Sequence, residues 1–391
     1  MDGQKRLGIA LIAAALPPKR DGIGDYTSNL AAELTKSATV VLLAPKTYTP
    51  TPIPGVAMEP LTDIFRPFRL QSLATCLQAY KPDWLILQYN PFSYGRWGLN
   101  LRLPLVMRAI QRQRTAKVAL MVHEPFVPVT NWKFAVMTIW QRWQLWMLGR
   151  SADVVFFSID PWVRRFRPWF PGKPLKHLPV GSNLPRVPMS RGEAKRRLGI
   201  EPDQLVIGLF GGISAARMPG LIASALRHAL ETSRRMLLLY VGPDGSKLCG
   251  ELNGLPVRDD GCLPADEASM RFAAMDIYLA PYIDGISTRR TSLMSGLQHG
   301  IATVGTRGLL TDESLAAQDG RAFLLADVSE PAAFQAHVVR LLNEDGLRAS
   351  LGAKGMALYE REFSWPRIVE QLITSLQDAT RETPGDVMPI R

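Results

Sequence analysis

Cysteine is scarce. The three residues Cys76, Cys249 and Cys262 are an odd number without close spacing, which excludes a disulfide framework and a cysteine-based zinc site and fits a reduced, cytoplasmic setting. No run reaches the ~18 apolar residues needed to cross a bilayer. The complete dinucleotide fingerprint is missing, which leaves a nicotinamide-dependent oxidoreductase without its motif. No nucleic-acid-binding motif is present either, so nucleic acid is not an expected partner. Carboxylates are also scarce in one half. Residues 1–185 carry 23 Lys/Arg against 10 Asp/Glu, whereas residues 186–391 carry 23 against 25. The first half therefore faces something anionic, and a membrane surface or a phosphorylated lipid fits.

What is present reads as two successive series of buried strands and helices in 391 residues, enough chain for two cores. Lys5-Arg6 before Leu7 to Leu16 imitates a leader, but a glycine loop and an amphipathic helix follow at once, so this run reads as the first strand of a parallel sheet. The loop holds Gly22 and Gly24, which let backbone approach a ligand, and the helix is expected to begin near Thr27. Val40 to Ala44 is a second strand, and Tyr48 to Pro60 reads as a proline-rich surface loop. Trp84 to Gln88 and Val118 to Val122 are further strands. The latter delivers His123-Glu124 to the rim where open α/β sheets place ligands. A second series starts at Leu205 to Phe210, enters Gly211, Gly212 and Arg217, and continues through Met236 to Val241.

The densest stretch is Pro281 to Gly305. Asp284-Gly285 makes a turn, Ser287 and Thr288 stand where N-caps stand, and a helix follows that closes at Gly300. Free N–H groups, two hydroxyls and Arg289-Arg290 at a helix start suit a phosphate.

The order of strand, Pro, small loop, helix, His-Gly and strand in this stretch resembles the donor-binding signature of GT-B glycosyltransferases, in particular retaining family 4. The resemblance covers about residues 7–378. It implies an α/β GT-B architecture, with two Rossmann-like domains facing across a cleft. The N-terminal, acceptor-side domain would span 1–185, with a crossing helix at about 367–378. The donor domain would span 186–366, and 379–391 would form a loose tail. It also implies transfer of a sugar from a nucleotide-diphosphate donor to a glycan or lipid-linked acceptor hydroxyl, with retention of configuration, no cofactor and no metal. His123 and Arg217 take catalytic roles under this reading. Gly22, Gly24, Gly211, Gly212, Gly285, Ile286, Ser287, Thr288 and Arg289 hold the donor and its phosphates, and Cys262, Leu263 and Ser295 hold base and ribose. Asp25, Tyr26 and Glu124 are candidates for acceptor contact. The chain departs from the family where Gly212 replaces an Arg and where Ser287 and Ser295 replace two Glu. A non-catalytic relative that binds a nucleotide or a partner enzyme is the alternative.

The helix expected over 131–150 carries Trp132, Val136, Ile139, Trp143 and Trp146 on one stripe, and residues 102–176 hold 13 basic against 3 acidic residues. Aromatic bulk beside cations suits a helix lying in a bilayer interface, so a peripheral position on the inner face of the membrane is expected. Partial burial in the domain is the other reading.

Overall fold

A computed structural model describes residues 6–45, 49–61, 71–231 and 235–381. The chain divides into two compact units, Met1–Pro179 with Ile368–Arg391, and Val180–Arg367.

The first unit is built on seven strands: β1 (Leu7–Ile12), β2 (Ala38–Pro45), β3 (Val56–Leu61), β4 (Trp84–Tyr89), β5 (Lys117–Val122), β6 (Val154–Phe157) and β7 (Leu175–His177). All pair in parallel, in the order β3-β2-β1-β4-β5-β6-β7. A parallel sheet covered on both faces needs strands that are apolar throughout, and every residue of β4 is buried. The connecting helices are α1 (Gly22–Leu34), α2 (Gln71–Tyr80), α3 (Arg102–Gln113), α4 (Trp132–Ser151) and α5 (Asp160–Phe166). β1 sits between β2 and β4, with Ile12 opposite Leu43 on one side and Leu87 on the other. The strand order therefore reverses at β1/β4, and ligands of such sheets bind beyond the strand ends at that reversal.

The second unit repeats the plan. Its strands β8 (Leu205–Phe210), β9 (Met236–Val241), β10 (Val257–Asp259), β11 (Ile277–Ala280), β12 (Ala302–Arg307) and β13 (Leu324–Asp327) are parallel, in the order β10-β9-β8-β11-β12-β13. Helices α6 (Arg191–Arg197), α7 (Pro219–Leu230), α8 (Gly245–Glu251), α9 (Ala265–Ala274), α10 (Thr291–Gln298), α11 (Glu313–Ala316), α12 (Pro331–Asn343) and α13 (Asp345–Leu358) accompany them, and α14 (Trp365–Arg381) ends the described chain. Ile207, Leu209, Ile222, Leu226, Leu238, Leu279, Val304, Phe334 and Leu341 form the centre of the core. Here the order reverses at β8/β11. The two units are Rossmann-like α/β domains, and the fold is GT-B.

Four sequence expectations need correction. The stretch read as a proline-rich loop contains β3, which pairs with β2 along Val56 to Leu61. An edge strand tolerates Pro60 because only one side needs its N–H groups. The loop's first residue, Tyr48, lies outside the described residues. The first strand ends at Ile12, four residues before Leu16. Helix α1 starts at Gly22, five residues before Thr27, because Asp21 caps it by accepting the Gly24 N–H at 2.8 Å. The final helix reaches Arg381, into the segment expected to be loose; residues 382–391 lie outside the described residues.

Candidate functional site

In the second unit, β8 runs into Gly211, whose φ of +90° favours glycine. The following turn is pinned where the Ile213 N–H donates to Asp244 Oδ2 at 2.9 Å and the Arg217 N–H to the Ser214 carbonyl at 2.9 Å. Arg217 bridges to Tyr282, just past the end of β11, so the loops after β8 and β11 meet at the strand-order reversal. Its side chain is buried. The guanidinium donates to the carbonyls of Phe210 and Leu279 and lies 4.4 Å from the centre of the Tyr282 ring, while Nε–H has no hydrogen-bond partner among the described residues. Gly212 lies beside Asp244, where a side chain would crowd the carboxylate.

The Arg290 guanidinium lies 4.1 Å from the same ring. Arg289 and Arg290 both donate to Asp284, the latter through two contacts of 2.8 and 2.9 Å. Three guanidinium groups thus gather around Tyr282 and Asp284, and Asp284 pairs with two of them, Arg289 and Arg290. Burial pushes the Arg290 guanidinium down, and its neighbour Arg289 adds to the effect. A second anion in this cluster would relieve that repulsion.

Gly285 adopts φ +84°, and a Cβ there would lie 2.1 Å from Thr311 Oγ1. This turn can hold only glycine. Ile286 is buried and donates its N–H to the Thr306 carbonyl at 2.8 Å. Ser287 and Thr288 are fully buried and are not N-caps; that expectation is corrected. α10 begins three residues later, at Thr291 after Arg290, because the Asp312 carboxylate accepts the Thr288 N–H at 2.7 Å and the Val180 N–H donates to the Thr288 carbonyl at 3.0 Å. Both contacts hold the segment outside the helix. The Ser287 hydroxyl is buried without a hydrogen-bond partner among the described residues. A buried orphan hydroxyl costs about 1–3 kcal/mol, which a ligand able to hydrogen-bond there would recover.

Ser295, on α10, exchanges a 2.9 Å hydrogen bond with Ser182 and donates to the Thr291 carbonyl at 3.0 Å. Its hydroxyl is engaged within the protein. Exposed Cys262 and half-buried Leu263 follow β10, beside Asp260, which is held by Arg258 at 2.7 Å and Arg271 at 2.9 Å.

In the first unit, the candidates lie at the ends of β1, β4 and β5. Gly24 packs so tightly that a Cβ would sit 2.6 Å from the Ala15 carbonyl oxygen, whereas Gly22 has open space beside it. Burial, with the Asp21 charge behind it, raises the Asp25 carboxyl to about 6. Tyr26 is buried and meets the His123 ring edge-on at 4.9 Å. His123 follows β5 and contacts Gln88 Oε1 through Nε2 at 2.7 Å. Burial depresses its pKa to about 3, so the imidazole is neutral near pH 7. With a carbonyl oxygen facing Nε2, the ring proton sits there and Nδ1 is the acceptor. Glu124 is exposed and accepts from Asn90 Nδ2 at 3.3 Å.

Within one unit the structure therefore brings together Gly211, Arg217, Gly285, Ile286, Ser287, Thr288 and Arg289, and within the other Tyr26 and His123, with Asp25 next to Tyr26 in the chain. Cys262, Leu263 and Ser295 are not joined to the arginine cluster by any of these contacts. Sequence reasoning missed Tyr282 and Gln88, and it undervalued Arg290 and Asp284. The signal for the latter pair is the spacing of Asp284 five and six residues before two arginines.

No family model matches the chain. It is 25% identical over 315 residues to the D-inositol 3-phosphate glycosyltransferase of Actinosynnema mirum, covering 76% of this chain and 71% of that protein. The D-inositol 3-phosphate glycosyltransferase of Thermomonospora curvata is 26% identical over 226 residues, 52% of this chain and 51% of the relative. Among solved structures, sucrose-phosphate synthase from Thermosynechococcus elongatus superposes with a TM-score of 0.74 at 15% identity, covering 97% of this chain and all of that one. Anabaena HepE, solved with UDP and glucose, superposes at 0.66 and 13% identity, covering 95% of this chain and all of that one.

Proposed function

We propose that this GT-B glycosyltransferase moves a sugar from a nucleotide-diphosphate donor to an acceptor hydroxyl on a glycan or lipid-linked molecule, with retention of configuration and without a metal or cofactor. The observation that carries the reading is a linked cluster in which Arg217 and Arg290 lie against the Tyr282 ring and Asp284 pairs with Arg289 and Arg290. As the glycosidic bond breaks, the departing diphosphate gains negative charge, and pre-positioned guanidinium groups lower the barrier by meeting it. That supply of positive charge is the task a metal performs in other phosphate chemistry. Support for a nucleotide donor also comes from HepE, whose structure holds UDP, and from relatives named glycosyltransferases.

In the first unit, His123 is the group we assign to the sugar. A neutral imidazole with its proton at Nε2 offers Nδ1 as a hydrogen-bond acceptor. Asp25, whose carboxyl is held near pKa 6, and Glu124 are assigned to the acceptor. Direct assay decides the matter: incubate the protein with UDP- and GDP-sugars and candidate acceptors, and follow release of the nucleotide. Donor-dependent release that Arg217→Lys strongly lowers supports the reading. Tight nucleotide binding without release under any pairing would support the non-catalytic alternative.

A further inference from the structure

Helix α4 is apolar on both sides, and one of them faces outward. Its stripe Trp132, Val136, Ile139, Trp143 and Trp146 recurs every three or four residues, the spacing of one helix face, and all five are exposed, with Trp132 at 73% and Ile139 at 70%. The buried side packs Met137, Leu145 and Leu148 and also carries two glutamines. Gln141 Oε1 accepts the Val127 N–H at 2.9 Å and its Nε2 donates to the Trp97 carbonyl at 3.2 Å. Gln144 Oε1 accepts the Asn100 N–H at 2.7 Å and its Nε2 donates to Tyr89 Oη at 3.3 Å. Thr138 donates to the Val127 carbonyl at 3.1 Å. These hydrogen bonds, together with the burial of Leu145 and Leu148, fix that side inward and leave the tryptophan side exposed. Trp97, 61% exposed, extends the patch, because its carbonyl is also bonded by Trp140 Nε1 at 3.1 Å.

An exposed apolar stripe of this length marks a surface that meets something. Its charge says what. Neither α3 nor α4 contains a carboxylate. Lys133 lies 5.8 Å from the Trp132 ring, Arg150 5.2 Å from Trp146 and Arg96 5.1 Å from Trp97. The acids of residues 102–176 lie elsewhere and are engaged: Glu124 with Asn90, Asp153 with the Val118 N–H at 2.7 Å, and Asp160 with His177 at 3.6 Å. A second copy would bring like charges together, which disfavours self-association. Trp132 to Trp146 spans ~21 Å at 1.5 Å per residue, a straight row that suits a flat interface. Tryptophan prefers the headgroup level of a bilayer, and flanking Lys and Arg reach anionic headgroups.

We propose that the outward face of α4, with Trp97, seats this protein on the anionic surface of a lipid bilayer. The reading is independent of sugar transfer. It is tested by sedimenting the full chain with vesicles of phosphatidylcholine alone and of equal parts phosphatidylglycerol and phosphatidylcholine, at low and high salt, without any sugar donor. Binding should be strong to the anionic vesicles, weaken with salt and be slight on neutral ones. Lys133→Ala with Arg150→Ala should weaken it about 30-fold, at ~1 kcal/mol per basic residue. Ile139→Ser, at an exposed site, should weaken it while the melting temperature stays at the wild-type value. Tryptophan fluorescence should shift to the blue on anionic vesicles. Equal binding to both compositions would overturn the proposal. So would an absence of vesicle binding, whether the protein is then monomeric or forms a dimer that Ile139→Ser dissociates; the dimer would assign the face to a second copy.

Discussion

The guanidinium of Arg217 stacks on the ring of Tyr282 at 4.4 Å although 65 residues separate them in sequence. This contact ties the loop after β8 to the loop after β11, where the strand order of the second unit reverses. Arg217→Lys keeps the charge and loses the planar fork. It should lower turnover by about 2–4 kcal/mol in transition-state stabilisation, the scale for removing one pre-positioned donor. Because Arg217 is buried, Arg289→Gln, at a less enclosed position, is the companion variant. Thermal denaturation separates loss of fold from loss of chemistry, and wild-type turnover in both variants would remove the cluster from the mechanism.

Ser287→Ala should move stability and activity in opposite directions. Removing a buried hydroxyl without a partner should leave the free protein as stable as wild type or more so, by up to about 1 kcal/mol. Turnover should fall if the hydroxyl meets the donor. A destabilised protein with normal turnover would make Ser287 a structural residue only.

His123 should stay neutral through the physiological range. Its folded pKa of about 3 lies below the ordinary 6.5, so between these values the unfolded chain binds the extra proton. Its contribution to stability is complete above pH 6.5 and is lost as pH falls, by about 2 kcal/mol at pH 5. Asp25 has the opposite sign. With its carboxyl raised from 3.8 to about 6, its contribution is present below 3.8 and is lost as pH rises through 6. The slope contributed by His123 is therefore cleanest between pH 6 and 6.5. An imidazole proton titration seen by NMR near pH 6.5 would contradict this account. As His123 is buried against Tyr26, His123→Gln should lower the melting temperature as well as turnover, in contrast to a residue on an open rim.

Gly285→Ala should destabilise the second unit by more than about 1–2 kcal/mol, the cost of a left-handed backbone for an ordinary residue. The 2.1 Å approach to Thr311 Oγ1 adds to this cost. Denaturant titration of the variant beside Gly22→Ala, which has open space for a methyl group, separates a backbone requirement from general sensitivity near the site.

The parallel sheets were legible because their strands are apolar runs closed by Gly, Pro or polar turns, as in Trp84 to Tyr89 and Ile277 to Ala280. β3 was not, since Pro54 and Pro60 give a loop composition and only its place at the sheet edge makes a strand possible. The helix starts were misjudged for two different reasons. At α1, Gly22 and Gly24 read as loop, yet an Asp21 cap carries the first turn. At α10, the serine and threonine that look like caps are diverted by Asp312, 24 residues away. Of the candidate site, Arg217 and Gly285 were visible as local exceptions, a lone cation in a glycine loop and a glycine after Asp. Tyr282 and Gln88 were invisible because each acts through a partner far along the chain, on Arg217 and His123. The stripe on α4 was legible as periodicity, but its direction was not, since the helix has a second apolar side, Met137, Leu145 and Leu148, which the hydrogen bonds of Gln141 and Gln144 hold inward.

The arginine cluster of the second unit is proposed to hold a nucleotide diphosphate. Calorimetric titration with UDP, and separately with GDP, measures it most directly. At least one should bind, with an affinity that falls at least about tenfold in Arg217→Lys and in Arg289→Gln, at about 1.4 kcal/mol for each tenfold. No binding of either nucleotide by the folded wild-type protein, or binding unchanged in both variants, would contradict it.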